Sequence, residues 1–202
     1  MSLLAFSLQV LPVSLLALGA TVVGAMARIS DAWRLPLLLV GVMLFAALLT
    51  FRKTPGWNLA LLLALAAVAG MFLGSSFEGT QGQSWGGALT VAFTLMGMAA
   101  LIGHMLRGRL RRVGSALWML AWIYLAGWIL LVMLNPAAWL RALWSGAGLV
   151  IFGGLVVVWF SELGDEENPV RGLAVPQGCD LYLLGLNIAV AARVLLLYLA
   201  TT

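Results

Sequence analysis

Charged residues are scarce in this sequence. Only 9% of its 202 residues are charged, whereas 63% are hydrophobic, and the mean hydropathy is +1.08. A soluble domain carries roughly 25% charged residues, because its surface must face water. The shortage of charge therefore excludes a soluble globular fold and indicates that most of the surface faces lipid.

Residues that commonly catalyse reactions or bind metals are also few. The chain has one histidine, His104, and one cysteine, Cys179, so it can form neither a two-histidine metal site nor an internal disulfide. Ser145-Gly146 opens a glycine-rich stretch, as in intramembrane serine proteases with a Gly-x-Ser-Gly pattern. Leu143 occupies the first position of that pattern, and no histidine follows to act as the base. We expect a protein that is not an enzyme and that holds neither a cofactor nor a metal.

Long apolar stretches dominate what is present. A helix needs about 20 apolar residues to cross a hydrocarbon core of roughly 30 Å, and a helix satisfies its own backbone inside lipid. Runs such as Leu59–Leu65 do not alternate between apolar and polar residues, which argues against a β-barrel. The sequence predicts seven spans at residues 5–27, 35–51, 57–77, 85–106, 113–134, 138–161 and 180–200. We predict an all-α polytopic membrane protein in which residues 1–202 form a single seven-helix transmembrane domain.

The basic residues lie mostly in the loops between these spans. One set of alternate loops contains seven of them: Arg52, Lys53, Arg107, Arg109, Arg111, Arg112 and Arg171. The opposite set contains three: Arg28, Arg34 and Arg141. Because cytoplasmic loops are enriched in Lys and Arg, we predict a cytoplasmic N-terminus and an external C-terminus. The net charge of +4 thus reflects topology beside the lipid bilayer, and no nucleic-acid partner is expected.

The four arginines at 107, 109, 111 and 112, which we call the arginine rim, dominate this count. We interpret Arg107, Arg109, Arg111 and Arg112 as topology anchors beside anionic lipid. A second charged group, Glu162 with the acidic residues at 165–167, places four carboxylates within six residues. It lacks the ligand spacing of an EF-hand loop, so an acidic solvated loop is the favoured interpretation over a calcium site.

The last predicted span contains the most informative polar residues. Asp180, Tyr182, Asn187 and Arg193 all lie within it, and polar groups at membrane depth are costly and usually face the bundle interior. They form a candidate polar core or pore. Arg193 either occupies a polar pocket or extends towards the outer interface, since it lies near the chain end. Structural hydrogen bonding and a pore or gating role both remain open.

Residues 179–187, Cys-Asp-Leu-Tyr-Leu-Leu-Gly-Leu-Asn, followed by Arg-Val-Leu-Leu at 193–196, resemble the last helix of the Bax inhibitor-1 family, also called transmembrane Bax inhibitor motif or YccA-like proteins. Members of that family read approximately Leu-Asp-Leu-Tyr-Leu-Asp-Phe-Ile-Asn, followed by Leu-Leu-Arg-Leu-Leu. Apolar and glycine-rich stretches at 15–25, 69–74 and 152–155 are similar to family segments in the same order. The resemblance extends from about residue 13 to 200.

The resemblance implies a seven-helix fold with the last helix at the centre of the bundle. It also implies a pH-sensitive calcium leak, which the family attributes to one aspartate in the sixth helix and one in the seventh that share a proton. Bacterial relatives associate with membrane protease complexes. We therefore expect a multi-pass protein of a bacterial inner membrane.

The sequence departs from the family at both aspartates. Matching residues 152–155 to the family pattern places Trp159 at the sixth-helix position, and matching residues 181–183 and Asn187 places Leu184 at the seventh-helix position. Asp180 then matches a variable aspartate one turn earlier. Two close carboxylates titrate as a coupled pair, whereas tryptophan and leucine carry no proton that titrates. We therefore expect an accessory or structural subunit that binds a larger membrane protein complex. The alternative is a cation (calcium) leak channel of the Bax inhibitor-1 type.

Overall fold

A computed structural model of the chain describes residues 10–27, 30–51, 54, 56–76, 85–106, 109–134, 136–162 and 174–201. Within these ranges the chain forms seven α-helices, and a 3-10 turn at Asp31–Trp33 comes directly before the second helix. The helices are α1 Leu11–Met26, α2 Arg34–Thr50, α3 Trp57–Ser76, α4 Trp85–Met105, α5 Arg111–Leu134, α6 Ala138–Glu162 and α7 Ala174–Leu199. The predicted all-α, seven-helix class is confirmed.

Five of these helices, α3 to α7, are long and apolar enough to cross a membrane. The described parts of α1 and α2 are shorter, at 16 and 17 residues. Pro12 lies in the first turn of α1. A proline is tolerated there, because the first N–H groups of a helix have no acceptor within the helix.

The start of α7 differs from the prediction. The helix begins at Ala174, six residues before the predicted span at 180. Pro176 is its third residue, a position where a missing N–H removes no helical hydrogen bond. Pro176 and Gln177 are both buried, so this first turn is a packed part of the helix.

The described contacts divide the chain into two compact units. The first contains α1, α2, α3 and the start of α7, up to Tyr182. Within it, α3 packs against both α1 and α2. Gly70 and Gly74 of α3 allow close contact with α1, since a Cβ on Gly74 would lie 2.6 Å from the Ala25 carbonyl oxygen.

The second unit contains α4, α5, α6 and α7 from Leu183 onward. Here α6 packs against both α4 and α5. A Cβ on Gly103 of α4 would lie 2.8 Å from the Phe160 Cβ of α6, so glycine sets the separation of these two helices. Because α7 contributes to both units, the organisation of the chain as a single domain stays a prediction.

Candidate functional site on the last helix

The first half of α7 is held by side-chain hydrogen bonds from α1. Ser14 Oγ donates to the Gly178 carbonyl at 3.0 Å. The same Oγ lies 3.2 Å from the Val10 carbonyl of its own helix. The Thr21 hydroxyl and the Tyr182 phenol are 2.6 Å apart. We call Ser14, Thr21, Gly178 and Tyr182 the polar seam.

The donor of the Thr21–Tyr182 hydrogen bond can be assigned from the other partner of Thr21. Thr21 Oγ1 is 3.0 Å from the Ala17 carbonyl, which can only accept. Thr21 therefore donates to Ala17, and the Tyr182 phenol donates to Thr21. Both hydroxyls are buried and satisfied, which removes the cost of unpaired polar groups inside the bundle.

Close backbone approach makes the polar seam possible. A Cβ on Gly178 would lie 2.6 Å from the Val13 Cβ of α1, so any larger residue would separate the two helices. Sequence reasoning selected Tyr182 but missed Ser14 and Thr21. Their spacing of seven residues, two helical turns, places them on one face of α1 and was the available signal.

Asp180 lies on α7 between the two hydrogen-bonding positions of the polar seam. Its side chain is half-buried, whereas the neighbouring Cys179 and Leu181 are buried. Among the candidate pore residues, Tyr182 thus forms a defined hydrogen bond with Thr21, and Asp180 is half-buried.

Asn187 and Arg193 lie in the second half of α7. Asn187 is half-buried, and its Nδ2 donates to the Leu183 carbonyl at 2.8 Å, so its amide bonds within its own helix. Arg193 is only 5% exposed. The side chain of Arg193 is therefore buried and does not extend to the outer interface.

The two positions that the resemblance matches to the family aspartates, Trp159 and Leu184, lie at one hydrophobic cluster. Leu184 is 3% exposed and lies in this cluster with Phe152, Val156 and Ile188. Trp159 packs against the same cluster, with its ring edge-on to Phe160 at a centroid distance of 4.9 Å. These two positions therefore present apolar side chains where the resemblance implied a pair of carboxylates.

The α5–α6 pair is joined by a reciprocal contact that sequence reasoning did not find. The Tyr124 ring of α5 covers Gly148 of α6, and the Trp144 ring of α6 covers Gly127 of α5. The two rings stack, with a centroid distance of 5.5 Å and an interplanar angle of 7°. The Trp128 indole N–H donates to the Tyr124 hydroxyl at 3.0 Å. The contact needs glycine at both positions, because each aromatic ring occupies the space of a side chain.

The arginine rim, His104 and Glu162 lie near the start of α5. Arg109 and Arg112 are exposed, Arg111 begins α5, and Arg107 lies outside the described residues. His104 is exposed at the end of α4, and Glu162 is half-buried at the end of α6, whereas the acidic residues at 165–167 lie outside the described part. Within the described ranges, no group of three or more His, Cys, Asp or Glu side chains is placed to hold a metal ion.

Comparisons with known proteins assign the chain to a family. No curated protein sequence matches it closely enough to count as a relative. The model of one family, described as inhibitor of apoptosis-promoting Bax1, matches residues 4–198, nearly the whole chain. The chain is therefore a multi-pass membrane protein that belongs to the Bax inhibitor-1 family.

Proposed function

We propose that this chain is a non-catalytic subunit that binds a larger membrane protein complex and does not conduct calcium. One observation is central to this proposal. Leu184 and Trp159, which replace the two aspartates implied by the family, pack in the same hydrophobic cluster.

A cation crossing this cluster would lose its water without gaining ligands. Divalent calcium needs six to eight oxygen ligands, and a charge moved into apolar surroundings without compensation costs many kcal/mol. Leu184 and Trp159 supply no oxygen. They also supply no proton site, so a switch between conducting and closed states has no titrating group at these two positions.

The outward face of α5 supports the binding part of the proposal. Trp118 and Trp122 are four residues apart and share a face of the helix, and both are about half exposed, at 46% and 49%. Tryptophan is enriched in the central contacts of protein interfaces. An exposed pair six or more residues inside a span gives a partner helix two large contacts.

Polar residues on α7 favour the alternative, a calcium leak channel. Asp180 and Asn187 are both half-buried, so each half of the helix has a polar side chain that is partly accessible. Asp180 would then act as a displaced substitute for the missing carboxylates. Calcium flux separates the two functions.

Purified protein in liposomes loaded with a calcium dye is the direct test. We expect the same flux at about pH 6 and about pH 8, close to that of empty vesicles, because the pair of carboxylates that could titrate in this range is absent. A robust flux that changes with pH would refute the proposed function. Loss of that flux in the Asp180→Asn variant would then assign the switch to Asp180.

Partner binding is tested separately by purification from the native membrane in mild detergent, with a Trp118→Ala/Trp122→Ala variant as the comparison. We expect a companion membrane complex to co-purify with the unmodified chain and to be depleted with the variant. Phe93, an exposed apolar residue of α4, provides a matched control as Phe93→Ala, which should keep the partner. A chain that purifies alone under these conditions contradicts the proposal.

We also propose that the protein resides in a bacterial inner membrane with its N-terminus in the cytoplasm. The basic residues at alternate loops support this orientation, seven on one side against three on the other. Within the second unit, Arg112 lies at the start of α5 and Arg141 near the start of the antiparallel α6. The two residues therefore belong to opposite ends of this helix pair.

A further inference from the structure

We propose that the protein thins the lipid bilayer beside α2 and is surrounded there by phospholipids with short acyl chains. The helix has 17 residues, and its apolar part is Leu35–Thr50. Because a helix rises about 1.5 Å per residue, α2 extends over at most about 25 Å, whereas a typical hydrocarbon core is roughly 30 Å thick. Tilting α2 would only reduce its height across the bilayer, so the helix is too short by about 5 Å or more.

The neighbouring turns do not add apolar length to α2. A 3-10 turn at Asp31–Trp33 comes directly before the helix, but Asp31 and Arg34 are charged. At the other end, the Thr54 N–H donates to the Phe51 carbonyl at 2.9 Å, so the chain turns immediately after the helix. The apolar length of α2 is therefore fixed at both ends.

Two exposed tryptophans mark the membrane interfaces at the two ends of α2. Trp33 lies directly before the helix and is 59% exposed, and Trp57, the first residue of α3, is 66% exposed. Tryptophan side chains prefer the headgroup region on both sides of a bilayer. Unlike lysine, tryptophan has no long flexible chain that could extend to a more distant headgroup, so these anchors favour a thinner bilayer over an extended side chain.

Most of the surface of α2 is accessible to lipid. Among the residues of α2 whose side chains the structure describes, only Leu48 is buried, and the helix packs against α3. A span that is shorter than the hydrocarbon core and that faces lipid along its length is matched by thinning of that bilayer. Phospholipids with short acyl chains form such a thin bilayer at the lowest cost.

The lipid beside one helix can be measured on the full-length protein in vesicles that mix dimyristoleoyl- and dioleoylphosphatidylcholine, with one of the two brominated. Met43 of α2 is 72% exposed and Met119 of α5 is 67% exposed, so Met43→Cys and Met119→Cys can each carry a fluorophore that adjacent brominated lipid quenches. Both variants also contain Cys179→Ala, which removes the native thiol. We expect the short-chain lipid to be favoured at Met43 by about twofold relative to Met119. The 24 residues of α5 reach about 36 Å and need no thinning.

Equal lipid preference at the two positions, or a preference for the longer lipid at Met43, would overturn the proposal. If neither lipid quenched the fluorophore at Met43, protein would cover α2, which would also overturn it. These outcomes do not depend on whether calcium flux or a partner complex is found.

A longer α2 provides the second test. Four leucines inserted between Thr50 and Phe51 add about 6 Å to the helix and leave the buried Leu48 in register, because they follow it. We expect this variant to lose the preference for the short-chain lipid at Met43, whereas four serines inserted at the same place should keep it. A preference that persists in the leucine variant would contradict the proposed role of helix length.

Discussion

Gly148 of α6 should tolerate no side chain, although other glycines of the same helix should tolerate one. A Cβ on Gly148 would lie 2.5 Å from Cζ and 2.8 Å from Cε2 of Tyr124. Ordinary contacts between carbon atoms are about 3.5 to 4.0 Å, so the Tyr124 ring would have to move by roughly 1 Å. That ring is fixed by stacking on Trp144 and by an edge contact with Phe152 at 5.3 Å.

We expect Gly148→Ala to lower the free energy of unfolding by about 2 kcal/mol. Inserting a methyl group into a packed core typically costs about 1 to 3 kcal/mol, and disturbing an aromatic pair costs about 0.5 to 1.5 kcal/mol. Removing only the hydroxyl with Tyr124→Phe should not rescue the variant, because the ring carbons also clash. Thermal unfolding in detergent, followed by circular dichroism, measures the effect.

Gly146→Ala and Gly153→Ala are the matched controls. Both glycines lie on α6, and among the described residues nothing lies within 4 Å of a Cβ at either position. Alanine stabilises a helix interior by about 0.5 to 1 kcal/mol relative to glycine, so these variants should melt at the same temperature or slightly higher. If all three variants melt alike, the aromatic ring is not the reason for glycine at 148.

Three further predictions concern the polar seam and the topology. In a double-mutant cycle, Thr21→Val and Tyr182→Phe should show a coupling of about 0.6 to 1.7 kcal/mol, and additive effects on the unfolding free energy would contradict the hydrogen bond. Ser14→Ala should cost about 0.5 to 1.5 kcal/mol, because the Gly178 carbonyl loses a donor from α1; an unchanged melting curve would remove Ser14 from the seam. A cysteine introduced at Thr202 should react with a membrane-impermeant label on intact cells, because the C-terminus is expected outside, and labelling only after permeabilisation would reverse the orientation.

The number of helices could be predicted because hydropathy depends only on composition along each span. Gly70 and Gly74 are four residues apart and share one helix face, a spacing of small residues that is typical of close helix packing. The start of α7 at Ala174 was missed, because the predicted span began only at Asp180, after the polar residue Gln177. The first turn of α7 is buried against protein and not against lipid, so a polar residue such as Gln177 can lie there.

The faces on which the helices meet could not be predicted in the same way. In a soluble protein the apolar stripe of a helix identifies its buried face. Here lipid and protein interior are both apolar, so hydrophobic periodicity does not distinguish them. Small and polar residues are the remaining signals, but they do not specify the partner: nothing in the sequence pairs Gly148 with Tyr124 or Ser14 with Gly178.

If Trp159 and Leu184 occupy the positions of the two family aspartates, the two replacements should be energetically coupled, and that coupling tests the correspondence. Leu184 is buried in the cluster against which Trp159 packs. A single carboxyl at either position would be surrounded by apolar groups, at a cost of about 2 kcal/mol or more even when protonated. Two neighbouring carboxyls can instead share a proton and hydrogen-bond to each other.

We therefore expect Leu184→Asp to be better tolerated beside Trp159→Asp than beside Trp159→Ala. Both double variants lose the indole ring, so the difference between them isolates the second carboxyl from the cavity that the ring leaves. The difference in unfolding free energy should be about 1 kcal/mol or more in favour of the two-aspartate variant, the size of a typical buried hydrogen bond. Equal stabilities would mean that the two side chains do not meet. Trp159 would then be the wrong counterpart of the sixth-helix aspartate, and the argument against calcium conduction would lose its structural basis.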